Sequence, residues 1–229
     1  MSKHVNRVRM MAVYHALEEL ADKVVFVGGA TVSLYTDRQG DDVRPTDDVD
    51  VLIELINYEE YSRIEERLIS KGFVNDIESG VICRYKIKGI IVDVMPTSEK
   101  ILGFANKWYP DGFNNSILYT LDDSCIIRIF SPEYFLSTKL EAFNNRGKND
   151  GRSSTDFEDI IYFLNNRTTI WDELHLAEKE VKEYISNNFK TLLENKYTEE
   201  WVSSHLEYAD RGRLEFIISS MKQFVEKNS

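Results

Sequence analysis

The chain has 229 residues, 42% of them hydrophobic, and a formal net charge of −11. This is enough for one large domain or two small ones with a real core. No apolar run approaches the roughly 18 residues a membrane helix needs. The acidic balance argues against an extended nucleic-acid groove and leaves a small substrate, a protein or one end of an RNA as partners.

In chain order, Val5, Val8, Ala12, Leu17 and Leu20 recur at helical spacing and predict a first helix over 5–20. Lys23–Val27 is an apolar strand ending in the turn Gly28-Gly29, and Ala30–Tyr35 opens a short helix. Arg38–Pro45 reads as a loop, followed by a second strand over Asp48–Leu55. Tyr58–Lys71 is an amphipathic helix closed by Gly72. Val81–Ile87 and Ile90–Met95 are strands joined by a tight hairpin at Lys88-Gly89, and Thr97–Lys100 looks like a helix start.

Ile117–Leu121 and Ile126–Phe130 are further strands around the turn Asp122-Asp123-Ser124. Ser131-Pro132 opens a helix to about Arg146, with proline at its first position. Gly147–Ser154 is a polar loop, and the remainder predicts helices over roughly 155–165, 172–189, 198–208 and 211–226. The expected organisation is an α/β domain over 1–130, with a mixed sheet flanked by helices, followed by an all-α part over 131–229. The two cysteines, Cys83 and Cys125, lie in strand-like runs and read as reduced core residues of a cytoplasmic protein. The first residues lack the apolar core of a signal peptide.

The chemistry concentrates in Thr46-Asp47-Asp48-Val49-Asp50-Val51. Alternate strand residues share a face, so Asp48 and Asp50 project side by side while Val49 and Val51 face the other way. Two neighbouring carboxylates repel, and a hard divalent cation is the usual reason to build such a pair. Ile90-Ile91-Val92-Asp93-Val94 places a third acid inside an apolar strand, where a charge is rarely left without a partner. Asp48, Asp50 and Asp93 together suit two Mg²⁺ ions. The Gly28-Gly29 turn would let backbone N–H groups approach phosphates with no Cβ in the way. Asp47 falls on the other side of the alternation and reads as a loop or first-strand residue. Four scattered histidines have no ligand spacing, which argues against zinc. Trp108-Tyr109-Pro110 reads as packing or a loop anchor, with stacking on a base as the alternative, and Trp171 and Trp201 read as residues that pin the C-terminal helices.

Strand, Gly-Gly, short helix and an Asp-x-Asp strand, with a third acid on a later strand, resemble the DNA polymerase beta-like nucleotidyltransferase superfamily. Arg44-Pro45-Thr46-Asp47-Asp48-Val49-Asp50 is similar to the Arg-x-Ser/Thr-x-Asp-hydrophobic-Asp signature of AbiEii/AbiGii-type toxin nucleotidyltransferases. Downstream, Thr138-Lys139-Leu140-Glu141-Ala142 through Arg146, then Thr155-Asp156-Phe157-Glu158-Asp159-Ile160, resemble a second block of that group. One departure is Thr155, where many members carry lysine.

By pattern alone, Lys139 and Arg146 are a helical stripe, and Asp156 and Asp159 are helix-start charges. The resemblance implies that Lys139 contacts nucleotide phosphates and that Asp156 positions Lys139 or a substrate group. It assigns no role to Arg146 or Asp159. It places Gly28, Gly29, Arg44 and Thr46 with the nucleotide, Arg44 either holding its loop or touching the triphosphate. The implied activity is Mg²⁺-dependent transfer of NMP from an NTP, ATP or GTP among them, to a hydroxyl on tRNA or protein, with a cognate antitoxin as a frequent partner. A small-molecule acceptor of the antibiotic type and a catalytically silent nucleotide-binding module are the alternatives.

Overall fold

The computed structural model describes residues 2–38, 43–55, 57–148, 150–206 and 211–228. The chain forms two compact units, one of Met1–Leu34 with Asp42–Ser131 and one of Tyr35–Asp41 with Pro132–Ser229.

The first unit is built on a mixed seven-stranded sheet in the order β3-β4-β5-β2-β1-β7-β6. Its strands are β1 (Val24–Val27), β2 (Asp48–Ile53), β3 (Val74–Asn75), β4 (Arg84–Ile87), β5 (Ile90–Pro96), β6 (Ser116–Asp122) and β7 (Cys125–Phe130). β1 lies in the middle of the sheet and all of its residues are buried, which is why it reads as an unbroken apolar run rather than an alternation. It pairs antiparallel with β2 and parallel with β7, while β2 pairs parallel with β5. The β4–β5 hairpin turns at Lys88 and Gly89, both at positive φ (50° and 79°), the geometry a two-residue turn requires.

Helix α1 (Ser2–Leu17) packs on β2, β5 and β7. The inward line is not the expected one. Val5 and Val8 are exposed, and Asn6, Met10, Val13 and Leu17 are buried. Asn6 faces inward because its amide anchors the segment before β2. The helix also ends earlier than expected, with Glu18–Lys23 forming a tight 3₁₀ turn. Helix α2 (Tyr58–Ser70) is capped by Asn57, whose side chain accepts from the Glu60 N–H at 3.0 Å.

Short helix α3 (Glu99–Leu102) starts at Ser98 as foreseen. Two elements have no sequence signal of their own. β3 is two residues long and exists through its pairing with β4, and α4 (Tyr109–Asn114) is a six-residue helix beginning at the buried Trp108.

The second unit is helical: α5 (Pro132–Arg146), α6 (Thr155–Asn166), α7 (Ile170–Leu176), α8 (Lys179–Glu194), α9 (Thr198–Ser204) and α10 (Arg211–Lys227). The single helix expected over 172–189 is two helices, α7 and α8, because Ala177 turns to an extended backbone (ψ 156°). Of the expected loop over 38–45, residues 39–42 lie outside the described residues, as do residues 207–208 of the expected helix over 198–208.

Residues 35–38 belong to this unit for visible reasons. The Tyr35 ring lies 4.4 Å from Phe135 and 5.6 Å from Phe163, centroid to centroid, and the Asp37 carboxylate accepts from the Thr168 backbone and hydroxyl. Both cysteines are free and buried, and burial, with the Asp93 charge second, pushes the Cys83 thiol up to about 11. No helix among the described residues is long and apolar enough to cross a membrane.

Candidate functional site

The acids converge because the sheet puts them in one row. Asp50 is the in-register partner of Asp93 across β2–β5, and Asp48 lies two residues earlier on the same face. One carboxylate oxygen from each of Asp48, Asp50 and Asp93 lies within 4.8 Å of the others. Asp93 is buried, while Asp48 and Asp50 are half-buried. Asp47 precedes the strand and is exposed, which separates it from the group.

Gly28 closes one side of this cage. Its φ is +73°, and a Cβ there would sit 1.9 Å from Asp50 Oδ2. The turn therefore needs glycine twice over, for the left-handed backbone and for the approach of the carboxylate. At Gly29 a Cβ would meet the Arg44 guanidinium at 2.6 Å and the Thr46 methyl at 2.9 Å.

The Thr46 side chain is otherwise engaged. Asn6 Oδ1 accepts from the Thr46 backbone N–H at 3.3 Å and from its hydroxyl at 3.2 Å, and Arg9 donates to the Thr46 carbonyl. Asn6 Nδ2 donates to the Arg44 carbonyl at 3.5 Å. Residues 44–46 are thus tied to α1 immediately before the acids begin.

Arg84 on β4 is the site residue that motif reading missed. It is the in-register partner of Asp93 on the other side, so it shares the face of the acids. Its Nε donates to Asp93 Oδ1 at 2.8 Å, its Nη2 to Asp93 Oδ2 at 2.7 Å, and Nη2 reaches Asp48 Oδ2 at 3.4 Å. These contacts with Asp93, offset in part by burial, raise the already high Arg84 pKa.

The signal for it was the hairpin. A two-residue turn at 88–89 pairs Ile87 with Ile90 and, counting back, Arg84 with Asp93.

The second cluster lies in the helical unit. Lys139 on α5 is 6% exposed, and its ammonium contacts Asp156 Oδ1 at 3.2 Å and Asp159 Oδ2 at 2.6 Å. Arg146, exposed and about two turns further along α5, donates to both Asp156 oxygens at 2.6 and 2.8 Å. Ser154 caps α6, accepting from the Phe157 N–H at 3.3 Å, and this start sets Asp156 and Asp159 on one inward face. Burial would raise the Asp156 carboxyl, but the Arg146 fork and the Lys139 charge more than offset it and hold the group below its ordinary value.

The remaining tryptophans and the described C-terminal histidines serve packing. Trp201 packs edge-on against Phe143 and Phe157, Trp171 lies tilted against Phe189, and His205 contacts the Gly151 carbonyl at 2.7 Å.

The donor set of the cage fits a hard divalent cation: oxygen ligands only, gathered within 4.8 Å of one another, and a glycine where a side chain would intrude. Three acids gathered beside a glycine turn repel one another, an arrangement compatible with a divalent cation and with the chemistry of a nucleotidyltransferase.

Residues 11–211 match the family model described as "Nucleotidyl transferase AbiEii toxin, Type IV TA system". The chain belongs to that family, and its activity is that of a nucleotidyltransferase. The match includes both the acid strands and the α5–α6 block. With the family come an NTP substrate and a cognate antitoxin. A comparison with curated proteins finds no match for the chain.

Proposed function

We propose that this protein transfers a nucleoside monophosphate from an NTP to a hydroxyl of tRNA or protein in the cytoplasm, using a catalytic domain over 1–130 and a helical domain over 131–229. The carrying observation is the in-register Asp50–Asp93 pair with Asp48 beside it, closed on one side by Gly28. In the reaction the acceptor oxygen attacks the α-phosphorus, the new P–O ester bond forms, the α–β anhydride bond breaks and pyrophosphate leaves.

Asp48, Asp50 and Asp93 would hold two Mg²⁺ ions. Bound there, the ions neutralise triphosphate charge and lower the pKa of the attacking hydroxyl.

The residues of the chain have separate tasks in this reading. Gly28 and Gly29 would present backbone N–H groups to the phosphates, their missing side chains making room for Asp50 and for Arg44, and Arg44 would meet the phosphates as well. Thr46 acts by position, since its hydroxyl is bonded to Asn6. Asp93 can take the proton of the acceptor once the Arg84 fork on its two oxygens loosens.

In the helical domain, Lys139 supplies a cation for phosphate and Asp156 positions it. The 3.2 Å contact between them supports the second role.

The test incubates the protein with α-labelled NTPs, total RNA, total protein and an aminoglycoside panel. Label on RNA or protein, abolished by Asp48→Asn, is the expected result. Label on a small molecule alone would overturn the assignment of the acceptor.

A further inference from the structure

We infer that Arg84 is the resident counter-cation of the acid cage and couples divalent-cation binding to nucleotide binding. This rests on the reading of Asp48, Asp50 and Asp93 as metal ligands.

Three carboxylates with oxygens within 4.8 Å repel one another, and the Arg84 guanidinium answers that repulsion at Asp93 and Asp48. Its fork covers both Asp93 oxygens at 2.8 and 2.7 Å and touches Asp48 at 3.4 Å. The arrangement is built into the hairpin, because Arg84 and Asp93 are cross-strand partners. It is also enclosed. The side chains of Arg84 and Asp93 are 23% and 10% exposed, against 70% and 74% for the surface pair Arg63–Glu59. A partly buried, bidentate pair of this kind resists separation far more than a surface pair.

A divalent cation needs the oxygens that Arg84 holds. Binding without nucleotide therefore requires the fork to yield with no replacement partner, which weakens the affinity of the cage for the free ion. A triphosphate changes this, since its oxygens match the planar guanidinium as well as a carboxylate does. Once nucleotide is present, Arg84 can exchange Asp93 for phosphate and the acids become available. By linkage, nucleotide and cation then strengthen each other's binding by the same factor. Arg84 thereby keeps the acids from repelling one another before substrate arrives and keeps the cage from collecting cations without substrate.

The experiment is calorimetric titration of Mn²⁺ into wild type, Arg84→Gln and Arg84→Lys at pH 8, with and without the α,β-methylene analogues of ATP and GTP. Near-UV circular dichroism verifies the fold. Wild type should bind Mn²⁺ weakly alone and tighter with analogue. Arg84→Gln should bind Mn²⁺ alone on the order of tenfold tighter than wild type, the worth of a hydrogen-bonded charge, and its gain from nucleotide should shrink by that factor.

Arg84→Lys should fall between the two, and it decides alone if the glutamine variant does not fold. Equal or weaker Mn²⁺ affinity in the variants, with nucleotide-dependent binding retained, would make Arg84 a structural clamp only and overturn the coupling. No Mn²⁺ binding by any of the proteins under either condition would overturn the metal site and the coupling with it.

Discussion

Asp50 and Asp93 stand opposite each other across the parallel β2–β5 pair, with Val27 beyond Asp50 and Arg84 beyond Asp93 in the same row. Asp50→Asn removes one charge from that row without changing its shape. Mg²⁺-dependent nucleotide binding should be lost and transfer should fall by roughly 100-fold or more, since charge stabilisation at such centres carries several kcal/mol. Calorimetry and a label-transfer assay read the two effects. Unchanged Mg²⁺-dependent binding would remove Asp50 from the ligand set.

Gly28→Ala should destabilise the first unit. The left-handed backbone at φ +73° costs a side-chain-bearing residue roughly 1–2 kcal/mol. The new methyl must also push Asp50 aside, adding to that and impairing activity in the protein that still folds. Gly29→Ala should be milder in stability, because the nearest obstacle is the end of the Arg44 side chain. Urea denaturation of both variants makes the comparison, and equal losses would show that neither the strain nor the Asp50 approach decides.

Asn6 is fully buried and holds the backbone N–H and hydroxyl of Thr46. Asn6→Ala would strand both donors, at a cost of about 1–3 kcal/mol for each group left unsatisfied. The segment carrying Arg44 and Thr46 into β2 should loosen. A lower denaturation midpoint, together with faster amide exchange at Thr46, is the expected signature. A loss of stability with no change at Thr46 would place the effect in α1 alone.

The Asp156 carboxyl lies below its ordinary 3.8 in the folded protein. Burial opposes that ionisation, and the Arg146 fork and Lys139 overcome it. A folded-state pKa below the unfolded one contributes stability that is complete above the unfolded value and is lost as pH falls through the folded value. Wild type should therefore lose part of its stability as pH falls below about 3.8. Asp156→Asn should be less stable at pH 7, because Lys139 is 6% exposed and loses a charged partner, and its acid-side slope should be shallower. Thermal melts across pH 2–7 measure both slopes, and parallel curves would contradict the ion-pair account.

The acids of the cage could be found from local pattern, because strand alternation and a lone charge in an apolar strand are properties of a few consecutive residues. Arg84 was also within reach, since the turn at Lys88-Gly89 sets the hairpin register, but no motif pointed to it. The inward face of α1 was misread for the opposite reason. Val5 and Val8 are apolar and Asn6 is not, yet Asn6 is the buried one, because its bonding partners lie about 40 residues away on the segment before β2.

By itself the sequence determined the turn glycines, the strand acids, the hairpin and the starts of α3 and α5, all of which follow from backbone sterics and spacing within one element. Only the tertiary structure decided that Asp50 meets Asp93, since parallel register between strands about 40 residues apart is set by packing of the whole sheet rather than by any turn. The same holds for Tyr35, whose ring is claimed by Phe135 and Phe163, and for Lys139, whose two carboxylate partners come from the next helix. A charge or ring in a sequence shows that a partner is needed, and the fold chooses which one it gets.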